Sequence, residues 1–259
     1  MHHDAAGRAA FAFELDALSK HFGAKIAVDR VDLAVPRGSF FGLVGPNGAG
    51  KTTSLSMGVG LLRPDAGTAR IFGIDIWDEP LTAKQIVGVL PDGLAMPERL
   101  TGPEMLSYLG LLRGLDEATV QERAEDLLDV LDLADAGTTL VIEYSAGMRK
   151  KIGLAAAMLH APRLLVLDEP FEGVDPVSAM AIRTILQRFV TGGGSVVISS
   201  HVMALVEQIC DQVGVIADGN VVASGALAEV QDGLSLEERF MTLVGADAGQ
   251  TEGLAWLTM

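Results

Sequence analysis

The sequence predicts an α/β fold: a mostly parallel sheet, an N-terminal antiparallel β subdomain and an inserted α-helical subdomain. Three observations carry this. Short β-type runs alternate with helical pattern along the chain, as parallel strands joined by crossover helices require. Residues 164–167 (Leu-Leu-Val-Leu) form an uninterrupted apolar run of strand length, suited to a strand covered on both faces. Between residues 101 and 160 the pattern is helical, which places a helical block between two strands.

In chain order, strands are expected at residues 11–18 and 26–35 with a turn at 21–25, and at 39–44, closed by Gly45. A helix follows from residue 50 to about 61. It ends before Arg63-Pro64, because the residue ahead of a proline is pushed out of the helical region. Residues 69–72 and 86–90 are further short strands. From 101 to 133, Leu106, Leu109, Leu112, Val120, Leu127, Leu128 and Leu131 recur at helical spacing with acidic residues between them. A second helical run covers 147–160 and stops at Pro162. β-type runs return at 164–167, 195–199, 213–216 and 221–223. Ser235-x-x-Glu238 reads as a capping box opening a short helix with Leu236, Phe240 and Leu243 on one face. One domain spans residues 1–259, with a core of about 12–92 and 161–245 and a helical subdomain of about 93–160. The tail 246–259 carries no reading.

Composition narrows the function classes. Hydrophobic residues make up 49% of the 259, and there are 30 glycines, which suits a packed core with many tight turns. The formal net charge of −15 repels nucleic-acid phosphates and anionic lipid headgroups alike, so no nucleic-acid partner is expected and any membrane link should run through a protein. Arg149, Lys150 and Lys151 are the one tight basic cluster. No apolar stretch reaches the length of a membrane span, and no charged segment followed by an apolar run marks a secretion signal. The single cysteine, Cys210, excludes an internal disulfide and suits a reducing cytosol. His2 and His3 are too short a pair for a metal site.

Gly45-Pro46-Asn47-Gly48-Ala49-Gly50-Lys51-Thr52 matches G-x-x-x-x-G-K-[ST] between an expected strand and an expected helix. Its glycines let the backbone curl so that successive N–H groups face phosphate oxygens, and the helix N-terminus adds partial positive charge. Lys51 is placed for β- and γ-phosphates, and the Thr52 hydroxyl for Mg²⁺; Thr53 completes the nucleotide-contact set. The apolar run at 164–167 delivers Asp168 and Glu169 at its tip. Asp168 can hold Mg²⁺ through water, and Glu169 can polarise the attacking water as a general base. His201 follows the strand at 195–199. A lone histidine there is either structural or a hydrogen-bond partner of the γ-phosphate.

Together these motifs resemble the ABC ATPase family, across about residues 12–245. The distinguishing piece is Tyr144-Ser145-Ala146-Gly147-Met148, where the family carries its Leu-Ser-Gly-Gly-Gln signature, some twenty residues ahead of Asp168-Glu169. The resemblance implies a P-loop NTPase (RecA-like) core that binds ATP with Mg²⁺ and hydrolyses it. It implies a second ATPase subunit, identical or not, whose γ-phosphate meets Ser145 and Gly147. It also implies a separate transmembrane permease, with this chain cytoplasmic and peripheral to the membrane through that permease. Phe22 occupies the position of the aromatic that stacks on adenine, and Val28 that of a residue packing against the nucleotide. Asp175, in Gly173-Val174-Asp175, matches the turn that communicates across the dimer, a role compatible with capping a helix at Pro176. Residues 144–148 are similar to those of ABC-2-type exporter ATPases. Asp92 stands where the family usually has Gln; it can bind Mg²⁺, but it is shorter than Gln and charged. The stretch holding Leu94, Met96, Leu100, Met105, Leu106, Tyr108 and Leu109 is the region the family uses to dock the permease, and is equally an ordinary helical core.

Overall fold

A computed structural model describes residues 10–93 and 96–245. Leu94, the His2-His3 pair and the tail 246–259 lie outside the described residues. Strands β1 (Phe11–Phe22) and β2 (Lys25–Pro36) form a long antiparallel hairpin. β1 runs on past the expected residue 18 because a bulge absorbs the register shift. Ala17 takes φ 49°, and its N–H donates to the Asp32 carboxylate at 2.7 Å. β3 (Phe40–Val44) is buried throughout and feeds α1 (Lys51–Gly58), which stops short of residue 61 where Gly60 adopts a left-handed φ of 75°. β4 (Ala66–Ile71) pairs with β1, and the two-residue β5 (Ile74–Asp75) pairs with β4, giving an antiparallel sheet of order β2-β1-β4-β5.

After α2 (Pro80–Gln85) and β6 (Val87–Leu90) comes the helical stretch. The run expected at 101–133 is two helices. α3 (Gly102–Leu112) opens on a Thr101–Glu104 capping box, and α4 (Glu117–Val130) is capped by Asp116, with Gly114 at φ 81° between them. α5 (Ala146–Met158), capped by Ser145, follows. The chain then alternates through β7 (Leu164–Leu167), α6 (Pro176–Thr191), β8 (Ser195–Ser200), α7 (Met203–Ile209), β9 (Gln212–Ala217) and β10 (Asn220–Ala226). It ends in α8 (Leu227–Gln231) and α9 (Leu236–Val244), the latter opened by the expected Ser235–Glu238 box. α2, α7 and α8 were not expected, being too short to display a 3.6-residue period.

The second sheet has the order β10-β9-β3-β8-β7-β6. Its pairs from β9 to β6 are parallel, and only the edge strand β10 is antiparallel. Period-two alternation sorts its side chains into two cores. Phe40, Val44, Leu165, Leu167, Val196 and Ile198 face the helices. Phe41, Leu43, Leu164, Val166 and Val197 face α1 and the antiparallel sheet. Fully apolar strands covered on both faces follow from that arrangement. α5 packs against β6 as well as against α3, α4 and α6, so it links the helical stretch to the sheet. Among the described residues, no helix is long and apolar enough to cross a membrane.

His160, just beyond α5, reports on this packing. Its Nε2 lies 3.0 Å from the Val87 carbonyl oxygen. Burial first, and then Arg113 and Arg123, lower its pKa from 6.5 to about 4. The unfolded chain therefore takes up a proton before the folded one does, and stability falls as pH drops from 6.5 towards 4. In thermal melts, His160→Gln should lose less of its midpoint than the parent across that window, and the two should run parallel above it.

Candidate nucleotide site

Two turns meet at the carboxyl ends of β3 and β7. The β3 turn needs glycine at Gly45, where a Cβ would lie 2.1 Å from the Ile216 carbonyl oxygen. Gly48 and Gly50 hold φ values of 82° and 107°, which turns the loop into α1. Lys51 is folded back into this loop. Its Nζ donates to the carbonyl oxygens of Gly45 at 2.8 Å and Pro46 at 3.3 Å, and lies 3.4 Å from Glu169 Oε1. A cleft of about 400 Å³ opens above, lined by Phe22, Lys25, Ala27, Asn47, Gly48, Gly50, Lys51, Thr52, Thr53, Asp92, Glu169 and Glu172. Ala49 is buried behind the loop.

The acidic side is built from β7 and β8. Asp168 is buried, and its Oδ1 accepts from the Ser199 hydroxyl. The same Ser199 oxygen accepts from the Glu169 N–H at 2.9 Å. Glu169 takes φ 45°, an uncommon value for a non-glycine residue. Its two oxygens part: Oε1 faces Lys51, and Oε2 lies 3.1 Å from His201 Nδ1. Ser199, which sequence reasoning missed, thus ties the Asp168 carboxylate to the backbone of Glu169. Ser199→Ala should leave the buried Glu169 N–H unpaired and cost about 1–3 kcal/mol of unfolding free energy, measurable in denaturant titrations.

Two buried strands of one sheet, β3 and β7, that bring a lysine-bearing glycine loop and two carboxylates together form a phosphate-handling arrangement. The family described as ABC transporter matches residues 28–172, more than half of the chain. The chain belongs to the ABC transporter family. It is the ATP-binding, ATP-hydrolysing subunit of a transporter. It is 40% identical to the daunorubicin/doxorubicin resistance ATP-binding protein DrrA of Streptomyces peucetius, over 86% of this chain and 68% of that protein. It is 36% identical to the bacitracin transport ATP-binding protein BcrA of Enterococcus faecalis, over 85% of this chain and 71% of that one. Among solved structures, the ATP-binding subunit of an ABC transporter matches with a TM-score of 0.83 at 30% identity, over 90% of this chain and 99% of that one. A dimeric bacterial ABC transporter cassette shares the fold, with a TM-score of 0.77 at 20% identity, over 83% of this chain and 98% of that one.

Against this ABC cassette, the expected site residues fall into three groups. Phe22, Asn47, Gly48, Gly50, Lys51, Thr52, Thr53, Asp92 and Glu169 line the cleft, with Asp168 buried beneath them and His201 reaching in through Glu169. Val28 does not: it is fully buried in the core between the sheets, and its neighbour Ala27 lines the cleft instead. Ser145, Gly147 and Asp175 are outside it and belong together. The Ser145 hydroxyl caps α5 by accepting from Met148 N–H at 3.2 Å. Asp175 caps α6, accepting from Val177 and Ser178 N–H groups at 3.0 Å each; the Ser178 bonds lead in holding its pKa below the usual carboxylate value. A Cβ on Gly147 would come within 3.1 Å of Asp175 Oδ2, so glycine lets the two helix starts touch. Ala146 is the first residue of α5 with ordinary backbone angles, and its methyl is accommodated.

The basic cluster does not form a patch. Arg149 donates to the Ile142 carbonyl oxygen at 3.2 Å, and the buried Lys151 lies 3.7 Å from Asp132. Lys150 turns the other way, towards Glu169 and Asp92.

Proposed function

We propose that this cassette drives a transmembrane permease by closing with a second cassette, identical or related, around two ATP molecules. The observation that carries the reading is the placement of Ser145 and Gly147 at a helix start outside the cleft of their own chain, where a second chain's phosphates could meet them. The Gly45–Thr52 loop and Lys51 hold the triphosphate, and Phe22 stacks on the adenine. Glu169 polarises the attacking water, and His201 steadies the γ-phosphate. Cleavage removes the shared γ-phosphate and the pair reopens, passing motion to the permease.

The residues present fit Mg²⁺. Thr52 lines the cleft, and Asp168 commits Oδ1 to Ser199, which leaves Oδ2 for a hard cation. Among the described residues, no cluster of three or more His, Cys, Asp or Glu could hold a metal alone, which suits an ion completed by phosphate oxygens and water. Such an ion would neutralise charge on the phosphates. Asp92, at the cleft rim, is the third candidate ligand, with its carboxylate 3.6 Å from Lys150.

The permease would dock on the surface of α3. Tyr108, Leu111 and Leu112 stand exposed there, while Met105 and Leu106 belong to the core. DrrA and BcrA are named for antibiotic resistance and antibiotic transport. We carry from them to this chain export of a small antibiotic-like molecule. Affinity purification from membranes tests the assembly: a polytopic protein should co-purify, and Tyr108→Glu with Leu112→Glu should release it without slowing ATP turnover. Retention of the membrane protein by that double variant would place the docking surface elsewhere.

A further inference from the structure

We propose that Lys150 is a positioning residue for hydrolysis, a cationic strut that ties Asp92 to the backbone of Glu169. Through it, the arrangement of the loop after β6 reaches the water-polarising carboxylate. The proposal rests on reading Glu169 as the base.

Lys150 lies in the second turn of α5 and is largely buried, with 16% of its side chain exposed. Its Nζ donates to the Glu169 carbonyl oxygen at 2.8 Å and lies 3.6 Å from Asp92 Oδ1. The two links are unequal. The first is short, sheltered and made by a charged donor, which makes it the stronger kind of hydrogen bond. The second ends on a carboxylate that is 49% exposed, so it is screened by salt and easily broken. Lys150 therefore holds Glu169 firmly and senses Asp92 loosely.

What it holds is a strained residue. Glu169 sits at φ 45°, and its carbonyl oxygen also accepts from Glu172 N–H at 3.2 Å. A peptide plane fixed at that oxygen, together with the N–H fixed by Ser199, sets the direction of the side chain between Lys51 and His201. Strain of this kind persists only where surrounding contacts impose it. Asp92 and Lys150 stand at opposite ends of the inserted helical stretch: one where the chain leaves β6, the other where α5 returns to the sheet. Displacement of that stretch relative to the sheet changes their separation first. Neither neighbouring cation can substitute, because Arg149 and Lys151 are committed to Ile142 and Asp132.

The test measures steady-state ATP turnover at saturating Mg-ATP, affinity for a fluorescent ATP analogue, and melting midpoint on the full chain. Lys150→Met is expected to lower kcat roughly tenfold or more while nucleotide affinity stays within about twofold, as misaimed catalytic groups do. Lys150→Arg should restore most of the turnover. Asp92→Asn should lower kcat by a smaller factor, and the double variant Asp92→Asn/Lys150→Met should match Lys150→Met alone, because the two groups act in one chain of contacts. Full turnover in Lys150→Met, an arginine variant as slow as the methionine one, or losses that multiply in the double variant would each overturn the proposal. Should Lys150→Met lower the melting midpoint, Asp92→Asn decides: unchanged turnover there sinks it. Glu169→Gln, run in parallel, separates the underlying reading, since retained turnover in that variant removes the base assignment whatever the Lys150 series gives.

Discussion

Glu169→Gln is expected to stop phosphate release, lowering kcat by roughly 10²–10⁴-fold, while ATP still binds. Glutamine matches the glutamate in size and can keep the contact with His201, but it cannot take a proton from water. The Glu169 side chain is nearly buried between a lysine and a histidine at 3.4 Å and 3.1 Å, which fixes its carboxylate beside the phosphate-loop lysine. A phosphate-release assay against equilibrium ATP binding checks it. Equal turnover in the variant and its parent would assign the chemistry to another group.

Lys51→Met should act at the preceding step. Lys51 Nζ is surrounded by two loop carbonyls and Glu169, an oxygen-rich pocket that γ-phosphate oxygens can share. Losing a buried charged donor should weaken ATP affinity roughly 100-fold. It should also destabilise the chain by about 1–3 kcal/mol, because the Glu169 carboxylate would remain buried with only His201 beside it. Fluorescent-nucleotide titration and chemical denaturation read these effects separately. Affinity within threefold of the parent would show that the backbone N–H groups of the loop hold the phosphates without it.

Much of this molecule is legible in one dimension. The phosphate loop, the apolar strand ending in Asp168-Glu169, and the Ser235–Glu238 box are local signals, since each places its chemistry within a few residues of its own secondary-structure cue. The misses have a shared physical cause. Ser199 and Lys150 matter through atoms brought to Glu169 from other elements, and nothing in a serine on a strand or a lysine on a helix advertises that distance. Val28, placed beside the nucleotide by resemblance alone, is buried in the core behind the loop. β2 alternates cleanly at Val31, Leu33 and Val35, but Arg30 takes φ 50° and the register with β1 shifts, so the alternation breaks towards the cleft end. The break between α3 and α4 was hidden because their apolar residues stay in step across a short glycine-containing turn.

The central claim is that Ser145 and Gly147 of one chain complete the ATP site of another. The measurement that reaches it directly is the mass in solution of Glu169→Gln, which should hold ATP without consuming it. Light scattering is predicted to give two cassettes with saturating Mg-ATP and one with ADP, and Ser145→Arg should abolish the shift. A Glu169→Gln chain occupied by ATP that stays monomeric, both alone and beside any cassette that co-purifies with it, would contradict the account.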